Sequence, residues 1–355
     1  MDLLSPRKII RRRTALLAPL VPACAWGLTS TPVDTGRTDW ISFRTRFIND
    51  DGRVVDTGNG GISHSEGQGL GMLFAEHFDD RPTFDLIHRW TRASLRRSND
   101  ALHVWRYRAG AAGSTADPNN ATDGDLLIAL ALARAARRWN ELDKARSAMA
   151  IATDISRLLI VRAGGMLLLL PGLFGFQTDA AITINPSYYI FTAFDALSHL
   201  MPSADWITLR HSGQSIINDA RFGRWLLPSD WLQISRSSSD IMPAPGWPPR
   251  CSYDAIRVPL YLIWAGLSSP AIASFAAFYA PRNGAPPPAW VNLQTGEEAP
   301  YAAPAGMMAV ARIAAAAAAG VSGPVALPSV ADAPDYYSAA LVLLSKIAWR
   351  ERNVP

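Results

Sequence analysis

The sequence predicts an all-α protein in which about a dozen helices pack together as one body. Hydrophobic residues make up 49% of the 355 residues and charged residues only 18%, so the chain can bury a large core. Apolar residues recur at helical spacing along most of the chain, whereas the two-residue alternation of strands is scarce. No linker-like segment interrupts the pattern. These observations favour one helical domain over a central sheet or two separate cores.

Nine segments carry the helical pattern, and proline-rich or polar stretches separate them. They cover residues 67–78, 84–96, 126–139, 142–159, 187–200, 206–222, 257–266, 305–319 and 337–350. Residues 126–133 form an unbroken apolar run, as expected of a helix buried on every side. The loops at 242–249 and 285–288 contain too many prolines to be helical. A short extended segment is expected at 53–57.

The first 25 residues have the features of a secretory signal peptide. A stretch rich in arginine precedes a short apolar run, and Ala-Cys-Ala at 23–25 matches the small-residue pattern of a cleavage site. The run is too short to span a bilayer and contains Pro19 and Pro22, so no permanent membrane span is expected. We therefore expect a periplasmic or secreted protein with a single domain at 26–355. Residues 21–24 also resemble a bacterial lipoprotein box, which leaves lipid attachment at Cys24 as an alternative.

Charge and cysteine content exclude several kinds of partner. Five of the 34 basic side chains but only one of the 30 acidic ones lie in the first 25 residues, so the net charge of +4 belongs to that segment. The remaining chain is balanced, which does not favour nucleic acid as a partner. After cleavage only Cys251 remains, and the six histidines lack metal-ligand spacing. Neither a disulfide nor a metal or other cofactor is predicted.

A glycine-rich segment at 56–72 is the first candidate functional site. Ser65 and Gln68 have the spacing of a capping box, which would place Glu66 in the first turn of the following helix. Six glycines around it would let a large ligand approach the backbone. A dinucleotide-binding loop is disfavoured, because no apolar strand precedes the glycines. A tight turn with a solvated Glu66 stays open as an alternative.

Two further acidic segments also lie at predicted helix starts. Thr122 and Asp125 again have capping-box spacing, with Asp123 in the first turn, but capping explains only one of two carboxylates ahead of a wholly apolar helix. Pro259 is tolerated only near a helix start, which places Asp254 at or just before the first turn. Arg257 follows three residues later, close enough to hold a carboxylate or a substrate hydroxyl.

Together these segments resemble glycoside hydrolase family eight, the inverting endoglucanases. Residues 121–139 match the family's signature helix at every fixed position, from Ala-Thr-Asp-Gly-Asp to the closing Trp. Residues 65–68 are similar to the general-acid segment and residues 253–257 to the general-base segment. The resemblance also includes residues 185–189 and 335–338, and it extends from about residue 40 to residue 349. Within the family, the chain resembles the cellulases associated with bacterial cellulose synthesis.

The resemblance implies a fold and a set of catalytic roles. The fold would be an (α/α)6 barrel, a toroid of about twelve helices whose inner helices begin at one end, so that the acidic residues converge. Glu66 would be the general acid and Asp254 the general base that activates water. Asp123 would bind the sugar at the cleavage point and favour its distorted ring, while Arg257 would orient Asp254.

Aromatic side chains provide flat faces for sugar rings, although most of the 12 Trp, nine Tyr and 12 Phe are expected in the core. Trp105 and Tyr188 match family positions and are the preferred sugar platforms. Phe176, Tyr253 and Tyr337 are further substrate-binding candidates.

The expected function is that of an endo-β-1,4-glucanase that inverts the anomeric centre and acts on cellulose or a soluble derivative. A cellulose synthase complex is the expected protein partner. A related hydrolase of xylan, chitosan or mixed-linkage glucan is the first alternative, since the carboxylates do not distinguish these substrates. A non-catalytic glycan-binding barrel is the second. Substituted carboxylates would mark such a protein, and this chain retains all three.

Overall fold

The computed structural model describes residues 35–110, 117–282 and 284–352, and these residues are predominantly helical. The predicted signal peptide at 1–25, including Cys24, lies outside the described residues, so the domain boundary there stays a prediction. Within the described residues the α-helices are α1 Thr35–Phe47, α2 Ser65–His77, α3 Arg81–Ser94, α4 Thr122–Trp139, α5 Leu142–Leu158, α6 Phe191–Leu200, α7 Ala204–Asp219, α8 Arg257–Trp264, α9 Pro270–Phe278, α10 Ala305–Ala318 and α11 Tyr336–Glu351.

All nine predicted helices are present, and their ends differ from the predicted ones by no more than four residues. The prediction of residues 126–133 as a fully buried segment of α4 is confirmed. The sequence analysis missed α1 and α9. The first has only four large apolar side chains among many polar ones, and the second is a short helix of nine residues that begins at Pro270.

The helices form two concentric layers. In the inner layer α2 packs on α4, α4 on α6, α6 on α8, α8 on α10, and α10 on α11, which returns to α2 and closes the ring. The outer helices α1, α3, α5, α7 and α9 each pack against this ring. Between α10 and α11 the structure has a loop with a 3-10 helix at Val330–Asp332, which packs on α1 and α11 in place of a sixth outer helix. The described residues therefore contain eleven α-helices, in agreement with the expected toroid of about twelve.

Short antiparallel strands fix the segments that lead into the inner helices. Within the described residues they are β1 Ser63–His64, β2 Arg106–Tyr107, β3 Ile160–Ala163, β4 Met166–Leu169, β5 Ala181–Ile184, β6 Leu232–Ser235, β7 Ile241–Pro243, β8 Arg250–Cys251 and β9 Val291–Asn292. The strand β1 pairs with β2 and leads directly into α2, while β8 pairs with β9 shortly before α8. The strands β5, β6 and β7 form a three-stranded sheet. The predicted extended segment at 53–57 forms isolated bridges at Val54 and Asp56.

An ionic cluster ties the inner helices together at their carboxyl ends. Arg134 of α4 donates to Glu76 of α2 at 2.6 Å and to both oxygens of Glu351 of α11 at 2.8 and 2.9 Å. The same Glu351 carboxylate accepts from Trp264 of α8 at 2.9 Å and lies 2.8 Å from Nδ1 of His77. Burial would raise the pKa of Glu351, but the hydrogen bonds from His77 and Arg134 and the charge of Arg134 hold it well below its usual range. Ion pairs thus fix the inner helices to one another at this end of the barrel. The candidate site lies at the opposite end, where the same helices begin.

Candidate active site

The three predicted acidic residues lie at or just before the starts of inner helices. Glu66 is the second residue of α2, Asp123 is the second residue of α4, and Asp254 lies three residues before α8. The predicted placement of each relative to its helix is confirmed. Because the inner helices form one closed ring, these starts come together despite their separation in sequence.

Both predicted capping boxes are wrong. His64 is the N-cap of α2, and its Nδ1 accepts from the Gly67 N–H at 3.0 Å. Gln68 points instead into the core, where its amide donates to the Thr91 hydroxyl at 2.9 Å. At α4 the Thr122 hydroxyl donates to the carbonyl of Leu170 at 2.6 Å and does not cap the helix.

One guanidinium joins all three carboxylates. Nη1 of Arg257 donates to Glu66 and lies 3.4 Å from Asp123, while Nη2 donates to Asp254 at 2.7 Å and to the Ser187 hydroxyl at 2.9 Å. The sequence predicted only the contact between Arg257 and Asp254. The structure adds the other two, so the arginine compensates a share of the negative charge of the whole cluster.

A glycine allows α2 and α4 to approach closely at this point. A Cβ atom on Gly124 would lie 2.1 Å from the Ser65 hydroxyl and 2.6 Å from the Glu66 nitrogen. Gly69 has the same role further along α2, where a Cβ would lie 2.7 Å from that of Leu127. These glycines serve helix packing, and the expectation that the helical ones would admit a ligand is wrong. Their small size brings Glu66 beside Asp123.

The carboxylates differ in exposure and in the ease with which they ionise. Asp123 is buried, and this burial together with the charge of Glu66 outweighs Arg257 and raises the pKa of Asp123 to about 7. Asp254 keeps one third of its side chain exposed (33%), which leaves it accessible to water from the cleft. Partial burial and the charge of Glu66 also raise the pKa of Asp254, against the opposing effect of Arg257. At mildly acidic pH the buried Asp123 therefore favours its protonated form.

A histidine and a second aspartate adjoin Glu66. Nε2 of His64 lies 3.3 Å from Asp56, and Nδ1 lies 3.8 Å from Glu66. Since the Gly67 N–H donates to Nδ1, the ring proton is on Nε2 and faces Asp56. Burial would lower the pKa of His64, but the hydrogen bond to Asp56 and the charges of Glu66, Asp56 and Asp123 raise it overall. The sequence analysis did not single out His64 or Asp56, although both lie within the glycine-rich segment.

Another missed residue, Asp230, fixes the loop that carries Asp254. Its carboxylate accepts from the backbone N–H groups of Ser252 at 2.9 Å and Ala255 at 2.8 Å, and also from the Ser252 hydroxyl. Burial, followed by the charge of Asp254, raises the pKa of Asp230 to about 7. It lies 24 residues before Asp254 in a segment without a recognisable motif, so only the tertiary structure shows this role.

Two of the predicted sugar-binding residues adjoin the residues that form the carboxylate cluster. The Tyr188 ring lies 5.9 Å from the Arg257 guanidinium, and burial with the charges of Asp123 and Asp254 holds the pKa of its phenol high. Trp105 adjoins the acid segment, because its carbonyl accepts from the Ser65 N–H at 3.0 Å. Its indole donates to Asp117 at 2.6 Å, which fixes the ring.

The remaining aromatic candidates fall into two groups. Phe176 lies parallel to Trp231, with ring centroids 5.8 Å apart, and Trp231 stacks on Trp247 at 4.0 Å. Tyr253 and Tyr337 contact each other with centroids 5.9 Å apart, and the Tyr337 hydroxyl donates to the Tyr253 carbonyl.

These two tyrosines line a cleft cavity of about 400 Å³ beside Asp56. The cavity is also lined by Asn59, Tyr301 and Asp335. Trp231, Trp247 and Tyr301 were not predicted, because aromatic residues in loops have no sequence signature.

Two other features of the described residues bear on function. They contain no cluster of three or more His, Cys, Asp or Glu side chains arranged to hold a metal ion. None of their helices combines the length and apolarity that a bilayer crossing requires.

The closed double ring of helices, with three carboxylates and one arginine gathered where its inner helices begin, is the (α/α)6 barrel of a glycoside hydrolase. Residues 16–351 match the family model described as "Glycosyl hydrolases family 8", and the chain belongs to this family. The fold inferred from the sequence is thereby confirmed.

Several relatives are similar over three quarters of the chain or more. A protein of Novacetimonas hansenii named "Probable endoglucanase" is 44% identical over 322 residues, which cover 90% of this chain and 93% of that protein. An endoglucanase of Cellulomonas uda is 40% identical over 77% of this chain and 76% of its own. Among solved structures, the endo-beta-1,4-glucanase CMCax from Acetobacter xylinum superposes with a TM-score of 0.85 at 43% identity, covering 90% of this chain and 99% of that one.

Proposed function

We propose that this protein is an endo-β-1,4-glucanase that hydrolyses internal bonds of cellulose or a soluble β-1,4-glucan with inversion. The relatives named endoglucanase and the similar solved endo-beta-1,4-glucanase support the substrate and the reaction. The observation that carries the mechanism is the convergence of Glu66, Asp123 and Asp254 on Arg257. Hydrolysis of a glycosidic bond needs one carboxyl group to protonate the leaving oxygen and a second to act from the other side.

Glu66 acts as the general acid and Asp254 as the general base. The two contact different nitrogens of Arg257, which holds both carboxylates at one site. Inverting enzymes keep the two carboxyl groups about 6.5–9.5 Å apart and retaining ones about 5–5.5 Å, so the proposed inversion rests on the family and not on this contact. The exposed portion of Asp254 gives it access to the attacking water, and its raised pKa makes it a better proton acceptor than an ordinary aspartate. Asp123, buried beside Glu66, hydrogen-bonds the sugar at the cleavage point.

Residues behind the acid and the base hold them in place. His64 is fixed by Asp56 on one nitrogen and by the start of α2 on the other, and it borders the Glu66 carboxylate. Asp230 fixes the loop that carries Asp254, because its carboxylate accepts hydrogen bonds from two backbone N–H groups of that loop. None of these three residues touches the bond to be cleaved, so we assign them positioning roles.

The aromatic residues provide the sugar-binding surfaces. Tyr188 and Trp105 adjoin the carboxylate cluster, and Tyr253 and Tyr337 line the cleft beside it. Phe176 extends this surface through its parallel contact with Trp231. Aromatic faces favour the flat, apolar side of glucose units.

A substrate panel tests the proposal. We expect the release of reducing sugar from carboxymethylcellulose and β-1,4-linked cello-oligosaccharides to exceed that from xylan, lichenan and chitosan. Faster hydrolysis of xylan or chitosan would favour the first alternative. Binding of cello-oligosaccharides without hydrolysis of any substrate would favour the non-catalytic barrel.

Export and the cellulose synthase complex belong to the same proposal. We propose that residues 1–25 direct the protein to the periplasm or the medium and that it acts near a cellulose synthase complex. The composition of the first 25 residues and the resemblance to cellulases of cellulose synthesis support these two statements. Sequencing the amino terminus of the mature protein tests the first, and it separates cleavage after Ala25 from a lipid-modified Cys24. Copurification with synthase subunits from detergent-solubilised membranes tests the second.

A further inference from the structure

A second cavity, of about 110 Å³, lies between α3, α4 and α5 and is lined by none of the catalytic carboxylates. All the ionisable side chains that line it are basic. His88, Arg92, Arg96 and His103 line it, together with the Ser147 hydroxyl, and no aspartate or glutamate is among its lining residues. A cavity of this size accommodates an ion or a small molecule and excludes a polysaccharide chain.

Among the described residues, the two arginines of this cavity have no counter-charge. Within the ranges that the structure describes, neither the Arg92 nor the Arg96 side chain makes an ion pair or a hydrogen bond.

The nearby acidic groups are already occupied by other cations. Asp100 pairs with Arg97 at 3.0 Å, and Asp154 pairs with Arg157 at 2.8 Å. Asp85 accepts from Lys144 at 2.9 Å. Asp125 contacts His103, which also lines the cavity. The charges of Arg92 and Arg96 are therefore not neutralised by an ion pair with any described side chain.

The spacing of the basic residues places them on one side of the cavity. His88, Arg92 and Arg96 follow one another at intervals of four along α3 and just beyond its end, so they form one row facing α5. Opposite them Ile128, Leu132 and Ile151 form an apolar floor. Arg92 and Arg96 are themselves exposed, so an anion from solution can reach both guanidinium groups at the mouth of the cavity.

We propose that this cavity binds a small oxyanion, held by Arg92 and Arg96 with His88 as a further donor. The planar guanidinium matches the paired oxygens of a phosphate, sulfate or carboxylate group and donates two hydrogen bonds to it. Burial and the charges of Arg92, Lys144 and His103, opposed by Asp85, lower the pKa of His88 to about 4. At neutral pH the imidazole is thus uncharged and still offers one N–H to the ligand.

The cavity is connected to the start of α4. His103 donates to the same oxygen of Asp125 from its backbone N–H and from Nδ1, both at 2.9 Å. Asp125 in turn follows Asp123 by two residues. An oxyanion in the cavity therefore stabilises the loop that leads from α3 to Trp105, and we expect it to raise the melting temperature.

Titration of the full-length protein with anions tests this inference independently of glucanase activity. Sodium phosphate, sulfate and acetate are added at constant ionic strength with chloride as the balancing salt, and binding is followed by calorimetry and thermal unfolding. We expect saturable binding of one equivalent with a rise in melting temperature. Preference for phosphate and sulfate identifies a tetrahedral ligand, and preference for acetate identifies a carboxylate.

The double variant R92Q/R96Q should bind the oxyanion at least about tenfold more weakly than the wild type, since it lacks both guanidinium groups. R146Q is the matched control, because Arg146 is an exposed arginine on α5 outside this cavity. Circular dichroism in chloride buffer confirms that both variants fold. Failure of all three anions to bind saturably, or equal binding by wild type and R92Q/R96Q, overturns the inference.

Discussion

Glu66 and Asp254 contact different nitrogens of one guanidinium, that of Arg257. The acid and the base of the proposed reaction are thus fixed relative to each other by a single buried side chain. Asp123 shares the nitrogen that Glu66 contacts, which places it with the acid. The role assigned to each carboxylate follows from which nitrogen of Arg257 it contacts.

Substitution of the carboxylates tests these assignments. Glu66→Gln and Asp254→Asn should each abolish hydrolysis while preserving the fold, because an amide can neither give nor take the required proton. Asp123→Ala should lower kcat by at least about 10²-fold if the residue stabilises the transition state. Hydrolysis rates on carboxymethylcellulose measure all three, with melting temperatures as the control for folding. Near-normal turnover by E66Q or D254N would refute the assignment.

The His64–Asp56 pair should affect kcat more than KM. Asparagine can replace the histidine as the cap of α2, so His64→Asn keeps the helix start but loses the link to Asp56. We expect kcat to fall about tenfold through loss of orientation, with KM nearly unchanged. Asp56→Asn should have the same effect, and the double variant should be no worse than either single one. An unchanged kcat in H64N, or fully additive effects, would show that the pair does not position Glu66.

Gly124→Ala should destabilise the barrel and disturb the site together. The added methyl group overlaps the Ser65 hydroxyl and the Glu66 nitrogen, so α2 and α4 must move apart at a cost of about 2 kcal/mol. Denaturant unfolding and kcat measure the two effects. Gly323→Ala is the control, since a Cβ there meets no atom within 4 Å and the backbone is not left-handed. Equal stability of G124A and wild type would contradict the close approach of the two helices.

The ionic cluster at the opposite end predicts a pH dependence of stability. Because the pKa of Glu351 is depressed by folding, its contribution is present above its unfolded pKa and is lost as pH falls through the folded value. Glu351→Gln should lower the free energy of unfolding by about 2 kcal/mol at pH 7. The difference from wild type should narrow below pH of about 4, where the unfolded carboxyl group is protonated. Urea unfolding at a series of pH values measures this, and a difference independent of pH would contradict it.

The sequence predicted those features of the site that depend on residues close together in the chain. Glu66 and Asp123 were placed in first turns from capping-box spacing, and the placement is right although neither box forms. The convergence of those starts followed from family resemblance, since periodicity alone does not give the order of helices in a ring. The cap of α2 was misassigned to Ser65 because histidine is not a usual cap. His64 acts as the cap here because Asp56 holds its imidazole ring through Nε2.

Residues that act through tertiary contacts were not predictable. Asp230 binds the Asp254 loop from a different segment, and Trp231 meets the rings of Phe176, Tyr188 and Trp247 only in the folded chain.

The stereochemistry of hydrolysis tests the central assignment most directly. If Glu66 protonates the leaving oxygen while Asp254 activates water on the opposite face, each cleavage inverts the anomeric centre. Proton NMR of cellopentaose hydrolysis, recorded before mutarotation equilibrates the product, should show the α-anomer first. Release of the β-anomer first, or a covalent glycosyl-enzyme at Asp254, would contradict the account.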